Sequence, residues 1–200
     1  MFIQIEGIDG AGKTTQCELL KHWFELRGQE AVLVKELGST ALGRQVHRIL
    51  TGNEPPDAKT EMFLFLACKA EAFSQIIVPS LAKGKIVITD RGSGSFIAYN
   101  SIRAGVDPAQ LTSLLQAATL GIEPDLTCLL DMPVRVAMKR SRKKSVTSKF
   151  DFDRPYLLKQ KRKMNELARL HKNWVSIDAT KSADEVHLAI IGAINRLRDG

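Results

Sequence analysis

The sequence predicts an α/β fold in three layers, a five-stranded parallel sheet with helices on both faces. Three observations lead there. Five short apolar runs, at Phe2–Ile5, Ala31–Val34, Ile86–Thr89, Leu126–Leu130 and Trp174–Ile177, alternate with apolar periods at helical spacing. The first run leads into a glycine-rich turn and then a helix. The second run ends in a loop at a strand's carboxyl end, where parallel sheets bind ligands.

That turn, Gly7-Ile8-Asp9-Gly10-Ala11-Gly12-Lys13-Thr14, fits Gly-x4-Gly-Lys-[Ser/Thr], the phosphate-binding loop of P-loop NTPase sandwiches. Such a match arises by chance in roughly 1% of chains this long. Its glycines, Gly7, Gly10 and Gly12, let the backbone bend until the N–H groups around Asp9 and Ala11 face one anion. The helix that starts at Thr14 and Thr15 adds its positive end. Lys13 can reach the β and γ phosphates, and the Thr14 hydroxyl can ligate Mg²⁺.

A second signature is the strand that closes on Asp90-Arg91. A carboxylate at a strand end suits the Mg²⁺ shell. An arginine beside it suits an acceptor phosphate, because the guanidinium fork matches phosphate oxygens. Lys13, Asp90 and Arg91 are therefore candidate catalytic groups, with Thr14 and Asp90 as candidate metal ligands.

Two hundred residues, 44% hydrophobic and 26% charged, are expected to form one domain over 1–200. No apolar run approaches the ~20 residues of a membrane span. No basic segment precedes the first strand, so a signal peptide is not expected and a cytoplasmic location is. Cys17, Cys68 and Cys128 stand apart, as reduced buried thiols do. The net charge of +7 is local: residues 135–172 hold fourteen Lys or Arg against three Asp or Glu, leaving fifteen against nineteen elsewhere. Such a segment suits either a nucleic-acid surface or a phosphate-clamping lid.

Between the strands, Leu19, Leu20, Trp23, Phe24 and Leu26 give the first helix an apolar face, and Gly28 ends it. Short helical periods follow around Leu42–Leu50 and over about 59–81. Others cover Pro108–Leu120, the stretch after Asp131, Tyr156–Lys172 and Val186–Leu197. The polar stretch Ser145–Asp153 breaks the period, which places a lid at about 140–153.

With these motifs in order, the chain resembles the thymidylate kinases. The anchors are Glu6–Gln16, Lys35–Thr40, Phe65, Asp90-Arg91, Ser95 with Ala98-Tyr99, Pro124-Asp125-Leu126, Leu130-Asp131 and Ile177-Asp178-Ala179. The resemblance implies a dTMP kinase that uses ATP and Mg²⁺ and works as a homodimer, with no nucleic-acid partner. It implies that Asp9 contacts the acceptor deoxyribose, Phe65 stacks on thymine, and Lys69 stands at a base-binding arginine position. Lys35 and Arg91 would hold the acceptor phosphate. Ser95, Tyr99 and Asn100 would complete the acceptor site, with Tyr99 against the sugar. Arg140, Arg142, Lys143, Lys144 and Lys149 would be the lid cations, the two arginines catalytic.

The sequence departs from the family at Lys35, Leu37, Lys69 and Gly92, where Arg, Pro, Arg and an aromatic are usual. Lysine keeps the charge but loses the bidentate fork. All four lie on the acceptor side. The ATP half would be the same in a kinase for another nucleotide, nucleoside or related metabolite, or in a non-catalytic ATP-binding paralogue.

Overall fold

A computed structural model describes residues 1–142 and 153–199, without the side chains of Arg142 and Asp199. Its centre is a five-stranded parallel sheet. The strands are β1 (Phe2–Glu6), β2 (Ala31–Lys35), β3 (Ile86–Asp90), β4 (Leu126–Asp131) and β5 (Trp174–Asp178), in spatial order β2-β3-β1-β4-β5. β1 lies between β3 and β4, with Ile5 beside both Asp90 and Cys128. All five residues of β1 are buried, and in β3 only Asp90 is not. β2 differs from the inner strands. It is an edge strand, and only Val34 is buried along it.

The helices are α1 (Lys13–Glu25), α2 (Ala41–Thr51), α3 (Ala58–Ala72), α4 (Val78–Ala82), α5 (Ser93–Arg103), α6 (Pro108–Ala118), α7 (Val134–Arg142), α8 (Arg154–Leu170) and α9 (Ala183–Asp199). Gly28 follows α1 at φ 70°, the left-handed turn that ends a helix cheaply only in glycine. Leu26, assigned above to the apolar face, is exposed beyond the last turn. Caps explain other starts: Thr40, Asp57, Asp107 and Asp153 each accept a backbone N–H of the turn they open.

A π-helical turn, Phe73–Ile77, joins α3 to α4. The resulting stretch, Ala58–Ala82, is long and apolar enough by length and composition to cross a membrane, which corrects the expectation of no such run. Met62, Leu66, Ala72, Phe73 and Ile77 are buried in it against α5, α6 and the sheet. Glu61 and Lys69 are buried with charged partners. Core packing accounts for part of this apolar content: 39% of its most apolar 18-residue window is buried, while Phe63 is exposed.

The main core joins the inner strands to α1, α7, α8 and α9 through Ile3, Ile5, Leu20, Phe24, Leu130, Met164, Ile190 and Ile194. A second cluster of Met62, Phe96, Leu111 and Leu115 holds α3, α5 and α6 together. The carboxyl ends of β1, β2 and β3 and the loop after β5 open onto one cleft.

Candidate active site

The phosphate loop spans the turn from β1 to α1. Gly10 is held at φ 85°, and a Cβ there would lie 2.1 Å from the Ala137 carbonyl oxygen of α7. Only glycine fits so close an approach. The loop therefore lies directly against the helix that leads toward the basic segment.

Lys13 is 6% exposed. Its Nζ donates to the Gly7 and Ile8 carbonyls at 2.9 and 3.0 Å and stands 3.5 Å from Asp9 Oδ1. Burial and the nearby Arg91 charge lower its pKa, against the pull of Asp9, Asp90 and Glu6. Thr14 Oγ1 donates to Asp90 Oδ2 at 2.6 Å. A hydroxyl and a carboxylate so close form a hard oxygen pair. They suit Mg²⁺, which takes few protein ligands and keeps waters and phosphate oxygens.

Arg91 follows β3 at φ 81°, an uncommon conformation for a side-chain-bearing residue. Its amide still bonds Ile5 O at 3.1 Å. Its guanidinium bonds Asp9 directly. Burial alone would raise the Asp9 carboxyl. The Arg91 and Lys13 charges, with the hydrogen bonds they donate, outweigh burial and pull it down to about 2. Asp9 is thus ionised between the cation of the phosphate loop and the cation of β3.

The cleft has a volume of about 830 Å³, at the upper end for a small-ligand site. Asp9–Gln16, Lys35, Phe65, Asp90, Arg91, Ser95 and Tyr99 all line it, and so does Arg140. Phe65 and Tyr99 meet edge to face, their centroids 5.9 Å apart. The Tyr99 hydroxyl bonds Glu61, and Arg103 stands 3.6 Å from the same carboxylate. Burial and the bond to Glu61 keep the Tyr99 phenol protonated well above its ordinary range.

Several candidates have other engagements. Ser95 uses its amide and hydroxyl on the fully buried Glu6 carboxylate, at 2.8 and 2.5 Å, so β1 holds the start of α5. Lys35 is exposed at the cleft edge, 3.8 Å from Glu18. Lys69 is not brought to the cleft wall. It is buried on the far side of the Lys35–Thr40 loop, 2.5 Å from Glu36 and 3.4 Å from the Gly92 carbonyl. A buried ammonium needs a charged partner, and Glu36 supplies it. Asn100 also lies off the wall, donating to Phe96 O at 2.8 Å. Arg140 reaches back to the carbonyls of Ala179, Thr180 and Lys181, at 2.8, 3.3 and 3.4 Å, and so holds the loop after β5. The Arg142 side chain, Lys143, Lys144 and Lys149, with most of the expected lid, lie outside the described residues.

Gly92 has a structural cause. A Cβ there would lie 2.0 Å from Gln4 Oε1, because the buried Gln4 side chain fills that space. Residues not anticipated from the sequence are Glu61 and Gln160; Glu6, Gln16 and Glu36 stood within the anchors but without an assigned role. Glu61 had a signal: it shares one helix face with Phe65 and Lys69, four residues apart in turn, where a charge among apolar neighbours implies a partner.

A phosphate cradle, a hydroxyl–carboxylate pair and an arginine on one cleft at the strand ends define a P-loop nucleotide kinase. Comparison with known proteins narrows the class. A model of the thymidylate kinase family matches residues 5–190. A probable thymidylate kinase of Thermococcus kodakarensis is 40% identical, covering 98% of each chain. The thymidylate kinase of Kosmotoga olearia is 36% identical over 96% of this chain and 93% of its own. That of Desulfovibrio desulfuricans is 43% identical over 70% of this chain. The chain belongs to the thymidylate kinase family.

Proposed function

We propose that the protein transfers the γ-phosphoryl group of ATP to the phosphate of dTMP, giving ADP and dTDP. One observation carries this: Lys13 of the phosphate loop and Arg91 at the end of β3 line one cleft and both reach the same Asp9 carboxylate oxygen. A triphosphate at the first and a monophosphate at the second would meet there.

The acceptor phosphate has a second pKa of about 6, so near neutrality it is an oxyanion and needs no strong base. The task is to bring anions together. The loop N–H groups and Lys13 receive the ATP phosphates, and Arg91 receives the acceptor phosphate. Asp9 holds both cations in place until the nucleotides arrive. Thr14 and Asp90 would hold Mg²⁺, which would supply neutralisation of phosphate charge. Phe65 and Tyr99 offer an aromatic wall to the acceptor base and sugar. Arg140, holding the loop after β5, keeps that wall of the ATP side in place. Arg142, Lys143, Lys144 and Lys149 would close over the phosphates as a lid across 140–153, and water exclusion there limits wasteful hydrolysis.

The basic segment then serves nucleotide phosphates rather than nucleic acid. A homodimer is the state the resemblance implies. The buried free thiols Cys17, Cys68 and Cys128 accord with a reducing cytoplasm.

ATP-dependent ADP release, screened over dTMP, dUMP, UMP, CMP, AMP, GMP and thymidine, tests the assignment. Selective turnover of dTMP is expected. Turnover of another acceptor instead, or of none with ATP binding intact, would overturn it.

A further inference from the structure

Gln160 lines the cleft from α8, yet it is 2% exposed and its Oε1 has no hydrogen-bond partner among the described residues. A buried amide oxygen left unpaired costs stability, and native structures hold few such groups. An apolar residue of similar shape would remove that cost. The same helix face continues into the core at Met164, one turn on, so Gln160 stands where the cleft wall gives way to the interior.

Its neighbours locate it. One turn earlier, Tyr156 lies edge-on to Tyr99, with centroids 6.3 Å apart. Tyr156 also feels the charges of Asp9, Arg91, Arg103 and Glu61. This face of α8 therefore looks toward Tyr99, on the side of the cleft that the acceptor sugar would occupy. An orphaned oxygen requires a donor. The phosphate at Arg91 has none near neutrality, whereas a sugar hydroxyl between phosphate and base has one. The terminal amide torsion is soft, so a rotation can present either amide atom to the cleft.

We infer that Gln160 is a specificity-determining contact that accepts a hydrogen bond from the 3′-hydroxyl of the acceptor nucleotide. This deepens the proposed dTMP kinase activity and rests on it. The contact favours acceptors with a free 3′-hydroxyl over 3′-modified ones. It also explains why a destabilising amide stays buried at the cleft wall.

The test compares dTMP with its 3′-deoxy analogue in the wild type, Gln160→Met and Gln160→Glu, alongside thermal unfolding without nucleotide. For Gln160→Met we expect a Tm equal to or above the wild type. Its kcat/KM for dTMP should fall roughly tenfold, with little change for the 3′-deoxy analogue and none in the KM for ATP. Gln160→Glu keeps an acceptor oxygen and should retain the 3′-hydroxyl preference. A Gln160→Met protein that unfolds early or fails to fold would make the amide structural and overturn the inference. So would equal losses on both acceptors, or sensitivity to N3-methylation of the base in place of the 3′ change. Absence of wild-type turnover on dTMP would instead sink the assigned reaction.

Discussion

Thr14 Oγ1 and Asp90 Oδ2 lie 2.6 Å apart although 76 positions separate them in the chain. The contact joins the first turn of α1, which carries Lys13, to the end of β3, which Arg91 follows. It exists because β3 pairs directly with β1, which sets Asp90 beside Ile5 at the loop's entrance.

Replacing Asp90 by asparagine keeps a partner for the Thr14 hydroxyl and removes the negative charge. Turnover should then fall by on the order of 10²–10³, the loss typical of one electrostatic group at a reacting centre. ATP affinity measured without divalent metal should hold. Steady-state rates across a Mg²⁺ titration, beside metal-free ATP binding, check this.

The Arg91 and Lys13 charges keep Asp9 ionised well below neutrality. Its folded pKa of about 2 lies below the ordinary 3.8. Its contribution to stability is therefore complete above the ordinary value and is lost as pH falls toward the folded one. The acidic limb of kcat/KM should instead follow the acceptor's second ionisation near pH 6. A phosphorothioate acceptor, which ionises more readily, should move that limb to lower pH. A limb that stays put with both acceptors would assign it to the protein.

The Tyr99 hydroxyl is held by Glu61, whose other neighbour is Arg103. Glu61→Gln weakens that hold without emptying the site. The preference for dTMP over its ribose counterpart should narrow by roughly tenfold, the worth of one charge-assisted hydrogen bond. The kcat on dTMP should stay within a few-fold. Paired kcat/KM values for the two acceptors give the answer.

Gly92 and Gln4 occupy one space. Gly92→Ala should destabilise the fold by about 1–2 kcal/mol, the usual cost of overpacking. Gln4→Ala in the same chain should recover most of the loss. Denaturant midpoints for the two single variants and the double variant test the coupling.

Much of this was legible in the sequence. Strand–loop–helix order around Gly7–Thr14 sufficed for the cradle, because glycine spacing and helix position are local. Asp90-Arg91 was legible for the same reason, as a strand end with charge chemistry. The parallel sheet followed from alternation, but not the edge position of β2, since Ala31–Val34 reads alike at an edge or a centre. Side-chain engagements were hidden wherever a distant residue decided them. Lys69 read as facing the base until Glu36 met it, and Arg140 as facing phosphate until the Ala179–Lys181 carbonyls drew it back. Gly92 looked like a loss until Gln4 filled its place. Each of these turns on a contact across the fold, which no local pattern records.

The most direct measurement uses one molecule that carries both ends: adenosine and thymidine joined through a chain of five phosphates. Calorimetric titration should find one such molecule per chain, displaced by ATP and by dTMP alike and weakened by either Lys13→Ala or Arg91→Ala. Displacement by ATP alone, with Arg91→Ala binding as the wild type does, would contradict a shared cleft for the two nucleotides.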